Sequence, residues 1–412
     1  MIAEEDAGRV AAWNRLLAYA RERVRFHRDR LPERIASIEE IARIPFTTKE
    51  DFRLNYPFGL LAVPPEEVVR VHMSSGTTGR PVVAAYTRGD MEGWAERMAA
   101  VLRMGGVSAG DVVQNAYGYG LFTGGLGFHL GAERIGAMVV PTSSGATARQ
   151  VTLLCDLGVT VLACTPSYAL VLAEAVEREG RRGRLRLRCG FFGGEPWGEG
   201  MRRQIERGLG LEPFDSYGLT ELGGPGVAVE CERHLGLHVL TGDFHAEVID
   251  PESGDAVPDG EEGELVLTGL RQEACPVIRY RTRDRTALLP EPCPCGSSLP
   301  RIRRPAGRTD DMLVIRGENV FPTQIEEELA HVPGLAPQYQ LVIDRERARL
   351  DTIEVRVEAE PGADPGPLGP AAQARIREST GLRVEVTVLA PGSLPRVEGK
   401  ANRVVDRREL GG

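Results

Sequence analysis

The sequence predicts an α/β fold with two domains: a large N-terminal domain over residues 1–309 and a small C-terminal α+β domain over residues 310–412. Three observations carry this prediction. Up to about residue 250, short β-branched runs alternate with helical stretches, which is typical of a mostly parallel sheet covered by helices. Between 245 and 290 the pattern changes to short strands separated by turn residues. Near residue 310 a new series of elements begins.

The individual elements follow from hydrophobic periodicity. An amphipathic helix is expected first, at 8–31. The alternating part is predicted to contain strands at 112–114, 138–140, 159–164 and 185–192, and helices at 149–157 and 168–178. Residues 245–290 predict a smaller antiparallel β region. In the small domain we expect a strand, a helix at 324–330, strands at 338–342 and 352–358, and a final helix and strand.

Composition excludes several classes of protein. The chain has 412 residues, 42% of them hydrophobic and 26% charged, and a formal charge of −9, which is ordinary for a globular protein. The acidic balance gives no reason to expect nucleic-acid or membrane binding. The first residues, MIAEEDAGRV, do not suit a signal peptide, so we expect a cytoplasmic location. Among the 50 basic residues only Lys49 and Lys400 are lysine, which suggests that lysine has a specific use there.

A segment rich in hydroxyl groups and glycine, SSGTTGRP at 74–81, follows a β-branched strand. Hydroxyl groups and exposed backbone N–H groups at this density suit a cradle for nucleotide phosphates. The segment is not a Walker loop, because Gly-Arg-Pro stands where that loop has Gly-Lys-Ser/Thr. A polar turn between strands is the alternative interpretation.

Three further segments carry groups that a magnesium nucleotide could use. In DSYGLTE, at 215–221, the tyrosine offers a face for a planar base and Glu221 a hard oxygen ligand for magnesium. In YRTRD, Asp284 could accept both hydroxyls of a ribose, with Arg308 in reach; a surface charge cluster is the alternative. In PGSLPRVEGKANRV, Lys400 suits a mobile point charge on a developing oxyanion or phosphate.

The order of the motifs SSGTTGRP, GGEPW, DSYGLTE, YRTRD, GRTDDMLVIRGENVFP and PRVEGKANRV resembles the adenylate-forming superfamily. Within it, the segments FTTKEDFRLNYPFGLLAVP, QNAYGYGLFTGGLGFHLGAERIG, ACTPSYAL and IRGENVFPTQIE resemble the phenylacetate-coenzyme A ligase family. The resemblance covers nearly the whole chain.

The resemblance implies where the nucleotide binds. The phosphate loop corresponds to Ser74, Ser75, Gly76, Thr77, Thr78 and Gly79, and Arg80 stands where many relatives carry lysine. Adenine would lie between Tyr217 and the segment formed by Gly194, Glu195 and Pro196. The same segment as Tyr217 contributes Asp215, as acceptor for the adenine amino group, together with Ser216 and Gly218.

The resemblance also implies the catalytic and substrate residues. Thr220 and Glu221 would act at the α-phosphate and magnesium, and Asp284 and Arg308 at the ribose. The small domain would rotate about a hinge at Asp310 and bring in Lys400, which completes the adenylation site. An aromatic pocket for the acid would be formed by Tyr117, Phe122 and Gly194.

One residue and one short segment depart from the family pattern. Relatives usually have alanine at Gly194, so the pocket floor is enlarged here and a substituted ring is expected. After GLH the family commonly has Glu-Asp-His where this chain has Thr241, Gly242 and Asp243, which removes two polar groups from a segment near the site.

Four residues could form a structural zinc site. Cys293 and Cys295 stand 62 and 57 positions after Cys231 and His238, and together the four supply a closed tetrahedral ligand set. The CxC spacing alone favours buried free thiols, whereas matching cysteines in related ligases favour zinc. His234 is the spare candidate ligand.

The function expected from these observations is ATP-dependent activation of an aromatic carboxylic acid, an aryl acetate or a substituted benzoate. The acyl-adenylate would react with coenzyme A to give the thioester, AMP and pyrophosphate. The alternatives are loading of a carrier protein and a zinc-stabilised nucleotide-binding protein without activity. Relatives also lead us to expect a homodimer.

Overall fold

The computed structural model describes residues 2–74, 81–308, 313–315, 318–345, 351–396 and 403–407. The helices are α1 (Ile2–Arg23), α2 (Arg25–Arg28), α3 (Lys49–Leu54), α4 (Arg88–Met104), α5 (Gly124–Ile135), α6 (Thr147–Asp156), α7 (Pro166–Arg178), α8 (Glu199–Leu209), α9 (Pro322–Ala330) and α10 (Pro365–Thr380). Among these residues, no helix has both the length and the apolar character needed to cross a membrane.

The first ten strands, of which β3 to β7 form the parallel part of the fold, are β1 (Arg70–Met73), β2 (Val83–Tyr86), β3 (Val112–Asn115), β4 (Met138–Val140), β5 (Val161–Cys164), β6 (Cys189–Phe192), β7 (Glu212–Leu219), β8 (Gly224–Glu230), β9 (Leu237–Val239) and β10 (Phe244–Ile249). The later strands are β11 (Gly263–Gly269), β12 (Tyr280–Thr286), β13 (Leu288–Leu289), β14 (Arg301–Ile302), β15 (Leu313–Ile315), β16 (Glu318–Val320), β17 (Leu335–Arg345), β18 (Asp351–Ala359), β19 (Glu385–Leu389) and β20 (Val404–Asp406).

The central sheet has nine strands in the order β13-β14-β9-β8-β7-β6-β5-β3-β4. Strands β4, β3, β5, β6 and β7 run parallel, and the rest of the sheet is antiparallel. Apolar residues of α4 and α5, such as Trp94 and Phe128, pack on one face, and those of α6, α7 and α8, such as Leu154 and Leu172, on the other. This is the predicted sheet covered by helices, and the loops after its parallel strands meet at one edge.

Four smaller sheets complete the described part of the fold, and two of them are the two-stranded pairs β1-β2 and β15-β16. The predicted antiparallel β region is the three-stranded sheet β10-β11-β12. The C-terminal part has its own four-stranded sheet, β19-β18-β17-β20, whose apolar side packs on α9 and α10 through residues such as Leu341, Val355 and Ile376. The fold class expected from the sequence is therefore observed.

Some predicted boundaries were wrong. The single helix expected at 8–31 is interrupted at Val24, whose backbone is extended (φ −113°, ψ 114°), so that α1 and α2 are separate. The strand expected at 185–192 begins only at Cys189, because its neighbour β5 begins only at Val161 and leaves the earlier residues without a partner strand. Strand β20, which pairs in parallel with β17, had not been predicted.

Candidate active site

The base of the predicted phosphate loop is a closed hairpin. Strands β1 and β2 pair antiparallel, and beyond them Ser74 and Val82 exchange hydrogen bonds. The Ser74 N–H donates to the Val82 carbonyl (3.0 Å), and the Val82 N–H donates to Ser74 Oγ (2.9 Å). The rest of the loop, Ser75, Gly76, Thr77, Thr78 and Gly79 with Arg80, lies outside the described residues.

The segment predicted to cover adenine follows β6 and lies against β7. Gly193 approaches the Ser216 backbone so closely that an added Cβ would overlap its carbonyl oxygen. Next to it, the Glu195 carboxylate accepts from the Ser167 N–H at the start of α7 (2.7 Å), and Pro196 is exposed. The nucleotide segments on β6 and β7 are therefore held side by side.

Asp215, the predicted acceptor for the adenine amino group, is buried and carries an ion pair. Its Oδ2 lies 3.1 Å from Nε of Arg304. Burial raises the pKa of Asp215 to about 6, and Arg304 opposes that shift. The N–H of Asp215 donates to Glu230 (2.9 Å), whose carboxylate also pairs with Arg202 and Arg304. Sequence reasoning missed Arg304, because in an arginine-rich chain nothing local distinguishes it.

The residues that follow Asp215 in β7 are constrained by the close approach of strand β8. An added Cβ at Gly218 would overlap the backbone of Gly224 and Pro225, so that only glycine fits between β7 and β8 at this point. Ser216 is buried and its hydroxyl has no hydrogen-bond partner among the described residues. Both residues lie in the strand that carries Tyr217.

The predicted ribose site brings three residues together from distant parts of the chain. The Tyr217 hydroxyl donates to Asp284 Oδ2, and Arg308 Nη1 lies 3.7 Å from Asp284 Oδ1. A backbone bridge also joins Asp284 to Arg308. The carboxylate is thus oriented by a phenol on one side and a guanidinium on the other.

Thr220 and Glu221 lie in the short 3-10 turn that follows β7, and both are buried. The Tyr280 hydroxyl donates to Glu221 Oε1 (3.1 Å). Burial, together with the charge of Glu221, raises the pKa of Tyr280 well above its usual range. Tyr280 belongs to the YRTRD motif, but its contact with Glu221 was not predicted.

The residues predicted for the acid pocket lie together after β3 and β6. Tyr117 is buried and stacks on Phe128 with ring centroids 5.2 Å apart, and its hydroxyl donates to the Gly193 carbonyl (3.3 Å). Gly194 has a φ of +84°, and a Cβ added there would lie 3.6 Å from Cζ of Phe122. The methyl group of an alanine at position 194 would therefore contact Phe122.

The departure at 241–243 has a structural counterpart. Thr241 and Gly242 are exposed, whereas Asp243 turns inward. Asp243 Oδ1 lies 3.9 Å from Nη1 of Arg97 and also 3.9 Å from Nη1 of Arg271. Arg97 is buried beside Gly223, close to the turn that carries Glu221. One acidic group of this segment is thus retained, at Asp243, opposite a buried arginine.

The four proposed zinc ligands converge. Their ligand atoms, from Cys231, His238, Cys293 and Cys295, lie within 4.8 Å of one another. His238 Nδ1 lies 3.3 Å from the Leu299 carbonyl, which leaves Nε2 directed at the group. The spare candidate His234 lies elsewhere, with its ring nitrogens 3.3 Å from Glu230 and 3.2 Å from Glu212.

Two further predicted residues, the hinge Asp310 and the catalytic Lys400, lie outside the described residues.

Known proteins similar to this chain agree with the motifs. The family model "AMP-binding enzyme" matches residues 25–271, and "AMP-binding enzyme C-terminal domain" matches residues 317–408. A phenylacetate-coenzyme A ligase of Aromatoleum evansii is 48% identical over 387 residues, which cover 92% of this chain and 87% of that protein. The chain belongs to the phenylacetate-coenzyme A ligase family of AMP-binding enzymes. Its relative in Thermus thermophilus, also a phenylacetate-coenzyme A ligase, is 46% identical over 96% of this chain and 95% of that protein.

Solved structures allow the arrangement of the large and C-terminal parts to be compared. A crystal structure of 2-hydroxyisobutyryl-CoA ligase in the postadenylation state, in complex with 2-HIB-AMP, matches with a TM-score of 0.92 at 31% identity, over 99% of this chain and 90% of that chain. The same ligase with 2-HIB-AMP and CoA in the thioesterification state matches with a TM-score of 0.72, over 99% of this chain and 91% of that chain. The arrangement of this chain is therefore more similar to that of the postadenylation structure than to that of the thioesterification structure.

Proposed function

We propose that this protein activates an aromatic carboxylic acid in two steps. In the first step, the acid carboxylate attacks the α-phosphorus of ATP, and pyrophosphate leaves to give an acyl-adenylate. In the second step, the thiol of coenzyme A attacks the acyl carbon, AMP leaves, and an aryl-CoA thioester forms. The substrate class is an aryl acetate or a substituted benzoate.

The observation that carries the proposal is the position of one loop, 193–196, between two sites. On one side it lies against β7, which carries Asp215 and Tyr217, and Tyr217 contacts Asp284. On the other side its Gly194 faces Phe122, and Tyr117 bonds to its Gly193. An acid bound in the aromatic pocket would thus lie next to a nucleotide.

Catalysis of the first step would be mainly electrostatic, because charge accumulates on phosphate oxygens in the transition state. We assign Thr220, the hydroxyl groups of 74–78 and Lys400 to those oxygens. Glu221 would hold magnesium: one carboxylate oxygen is fixed by Tyr280, and we assign the other to the cation. When bound, magnesium would neutralise phosphate charge. No general base is needed, since the acid is already ionised.

The two alternatives raised by the sequence are not favoured. The phenylacetate relatives at 46–48% identity are named coenzyme A ligases, which favours coenzyme A over a carrier protein as acceptor. Against an inactive nucleotide-binding protein, the chain retains both Glu221 and Lys400.

A substrate screen tests the proposal. Pyrophosphate release would be measured with ATP and magnesium across phenylacetates, benzoates, and hydroxy- and aminobenzoates, followed by thioester formation with free coenzyme A. We expect at least one aryl acid to give pyrophosphate, AMP and thioester in equal amounts. The proposal fails if no aryl acid releases pyrophosphate above a control without acid.

We also propose a structural zinc ion at Cys231, His238, Cys293 and Cys295. A tetrahedral ion with Zn–S bonds of about 2.3 Å separates two sulfurs by about 3.8 Å. In the structure Sγ of Cys231 and Cys293 are 3.7 Å apart, and Sγ of Cys295 lies 3.5 Å from Nε2 of His238. The Leu299 carbonyl would orient the imidazole ring. All positions of such a site are filled by protein, so its role would be structural.

A homodimer in solution is a further proposal. Leu54, Tyr56 and Phe58 expose apolar surface within one short segment, with Leu54 75% exposed, and a second copy could cover it. Light scattering during size-exclusion chromatography measures the mass directly, and a monomer mass would contradict the proposal. The cytoplasmic location stays a prediction.

A further inference from the structure

Two arginines flank the segment 397–402, which contains Lys400, and both contact helix α7. Arg396 precedes the segment and pairs with Glu174, with Nε and Nη2 each 3.0 Å from a carboxylate oxygen. Arg403 follows the segment, and its Nη2 lies 3.5 Å from Ser167 Oγ. Ser167 and Glu174 are seven residues apart, two helical turns, and therefore share one face of α7.

The Arg396 side chain joins two parts of the molecule. Its Nη1 and Nη2 donate to Glu358 in β18 (2.8 and 2.9 Å), while Nε and Nη2 donate to Glu174. Glu358 is 1% exposed and also accepts from the N–H groups of Gly392 and Leu394 (2.9 and 2.6 Å), so the chain up to Arg396 is fixed to its own sheet. Glu174 then fixes that sheet to the large α/β part.

Further contacts join the C-terminal part to the same face of α7 or hold Arg403 in place. Gln338, at the beginning of β17, donates to Glu174 Oε1 (3.2 Å). Arg403 lies over the ring of Tyr339 (4.6 Å) and 3.7 Å from Glu326. At the other end of the face, the Ser167 N–H bonds to Glu195 of the adenine segment. The helix thus links the nucleotide site to the two flanks of 397–402.

We propose that Glu174 is a positioning residue for the adenylation step, which holds Arg396 of the C-terminal part in the arrangement that makes acyl-adenylate. This inference rests on the proposed two-step function. Because the arrangement described here is more similar to that of the postadenylation structure, the pair between Glu174 and Arg396 belongs to the first step. When the C-terminal part moves for the second step, this pair separates, so Glu174 favours adenylation selectively.

The test compares two substitutions on α7. Glu174→Gln keeps the size of the side chain but removes its charge. Glu177→Gln makes the same charge change one turn later, at an exposed residue that forms no ion pair with any described residue, and serves as the control. For both, adenylation is measured by pyrophosphate release, and the second step by thioester formation from preformed acyl-adenylate and coenzyme A.

We expect Glu174→Gln to slow adenylation about three- to tenfold, as fits a partly exposed bidentate pair, and to leave thioester formation unchanged or faster. Glu177→Gln should change neither step. As a readout independent of activity, backbone hydrogen exchange of peptides spanning 385–396 should become faster in Glu174→Gln alone. Gln338→Ala, which removes another donor to Glu174, should slow adenylation in the same selective way.

Three results would overturn the proposal: equal slowing of both steps, no slowing of adenylation, or the same effect in the Glu177 control. A failure of the function itself looks different, because then the unsubstituted protein releases no pyrophosphate with any aryl acid. If Glu174→Gln does not fold, the selectivity of Gln338→Ala decides.

Discussion

At the scale of single residues, the proposed acid pocket depends on the contact between residue 194 and Phe122. A Cβ added at Gly194, where φ is +84°, would lie 3.6 Å from Cζ of Phe122. Tyr117, another residue of the proposed pocket, is held by stacking on Phe128. A methyl group at 194 would therefore take space from a substrate that lies against these side chains.

We therefore expect Gly194→Ala to shift the preference of the enzyme toward smaller or unsubstituted rings. One methyl group in a packed pocket discriminates by about 1 to 3 kcal/mol. The measurement is kcat/KM for a series of ring-substituted and unsubstituted acids. The left-handed backbone also costs alanine about 1 kcal/mol of stability, so the melting temperature should fall slightly.

Gly198→Ala is the control for this prediction. Gly198 follows four residues later, has φ −108° and has open space around its Cβ direction. The ranking of acids should not change in this variant. If the ranking is also unchanged in Gly194→Ala, Gly194 does not form the pocket floor.

A second prediction concerns the ribose contact. Asp284→Asn removes the charge that Tyr217 and Arg308 orient, and hydrogen bonds to a charged group contribute about 1.5 to 3 kcal/mol. We expect the preference for ATP over 2′-deoxy-ATP or 3′-deoxy-ATP, measured as kcat/KM, to shrink about tenfold or more. Discrimination against inosine triphosphate, which differs only in its base, should stay the same. Loss of both preferences together would argue for a general disturbance of the site.

Residues within a contiguous motif could be predicted from the sequence, and those that act across the fold could not. Tyr217 and Asp284 each belong to a recognisable motif, and the structure brings them into contact. By contrast, Arg304 reaches Asp215 from 89 positions away in an arginine-rich chain, and nothing near it in sequence marks the contact. The contact between Arg97 and Asp243 was hidden in the same way.

At the scale of elements, the segment from β13 to β14 is held by few apolar contacts. It is rich in proline and is mostly exposed, apart from Cys293 and the short strand Arg301–Ile302. Burial raises the pKa of the Cys231 thiol to about 12, so without a cation this cysteine would be protonated at neutral pH. A metal that binds the three thiolates of Cys231, Cys293 and Cys295 would fix the segment to the β8–β9 connection.

The corresponding prediction is about one zinc ion per chain in protein purified without chelator, measured by elemental analysis. Cys295→Ser should lower both the zinc content and the melting temperature, and should affect turnover of the remaining folded protein much less. Cys155→Ser, at a free cysteine on α6, should change none of these. If the unsubstituted protein contains no zinc, the three cysteines are free thiols and the proposed zinc site is wrong.

The boundaries of the strands show why the hydrophobic pattern of one segment does not suffice to predict where a strand begins. Residues 185–188, Leu-Arg-Leu-Arg, alternate regularly but do not form a strand, whereas Cys189–Phe192 do not alternate and form a strand beside β5. In the same way, Val404–Asp406 becomes a strand because β17 offers a free edge to pair with. Hydrophobic pattern predicts which residues are buried, whereas the neighbouring strand decides where pairing begins.

At the scale of the whole molecule, the C-terminal part has its own core and contacts helix α7 through charged and polar groups. Leu341, Val355 and Ile376 pack within it, while the contacts across to α7 use Arg396, Gln338 and Arg403. Interfaces of this kind separate more easily than apolar ones. Polar contacts of this kind between two separate cores fit the proposed use of one arrangement for adenylation and another for thioester formation.

The two lysines of the chain allow a direct test of the proposed use of two arrangements. We expect Lys400→Ala to slow adenylation about a hundredfold or more, because removing a charge directed at a transition state costs on the order of 3 kcal/mol. ATP binding and thioester formation from preformed acyl-adenylate should stay largely intact, since Lys400 would act in the first step alone. Lys49→Ala, at the start of α3, is the control and should leave both steps unchanged. Equal loss of both steps in Lys400→Ala would contradict the use of two arrangements.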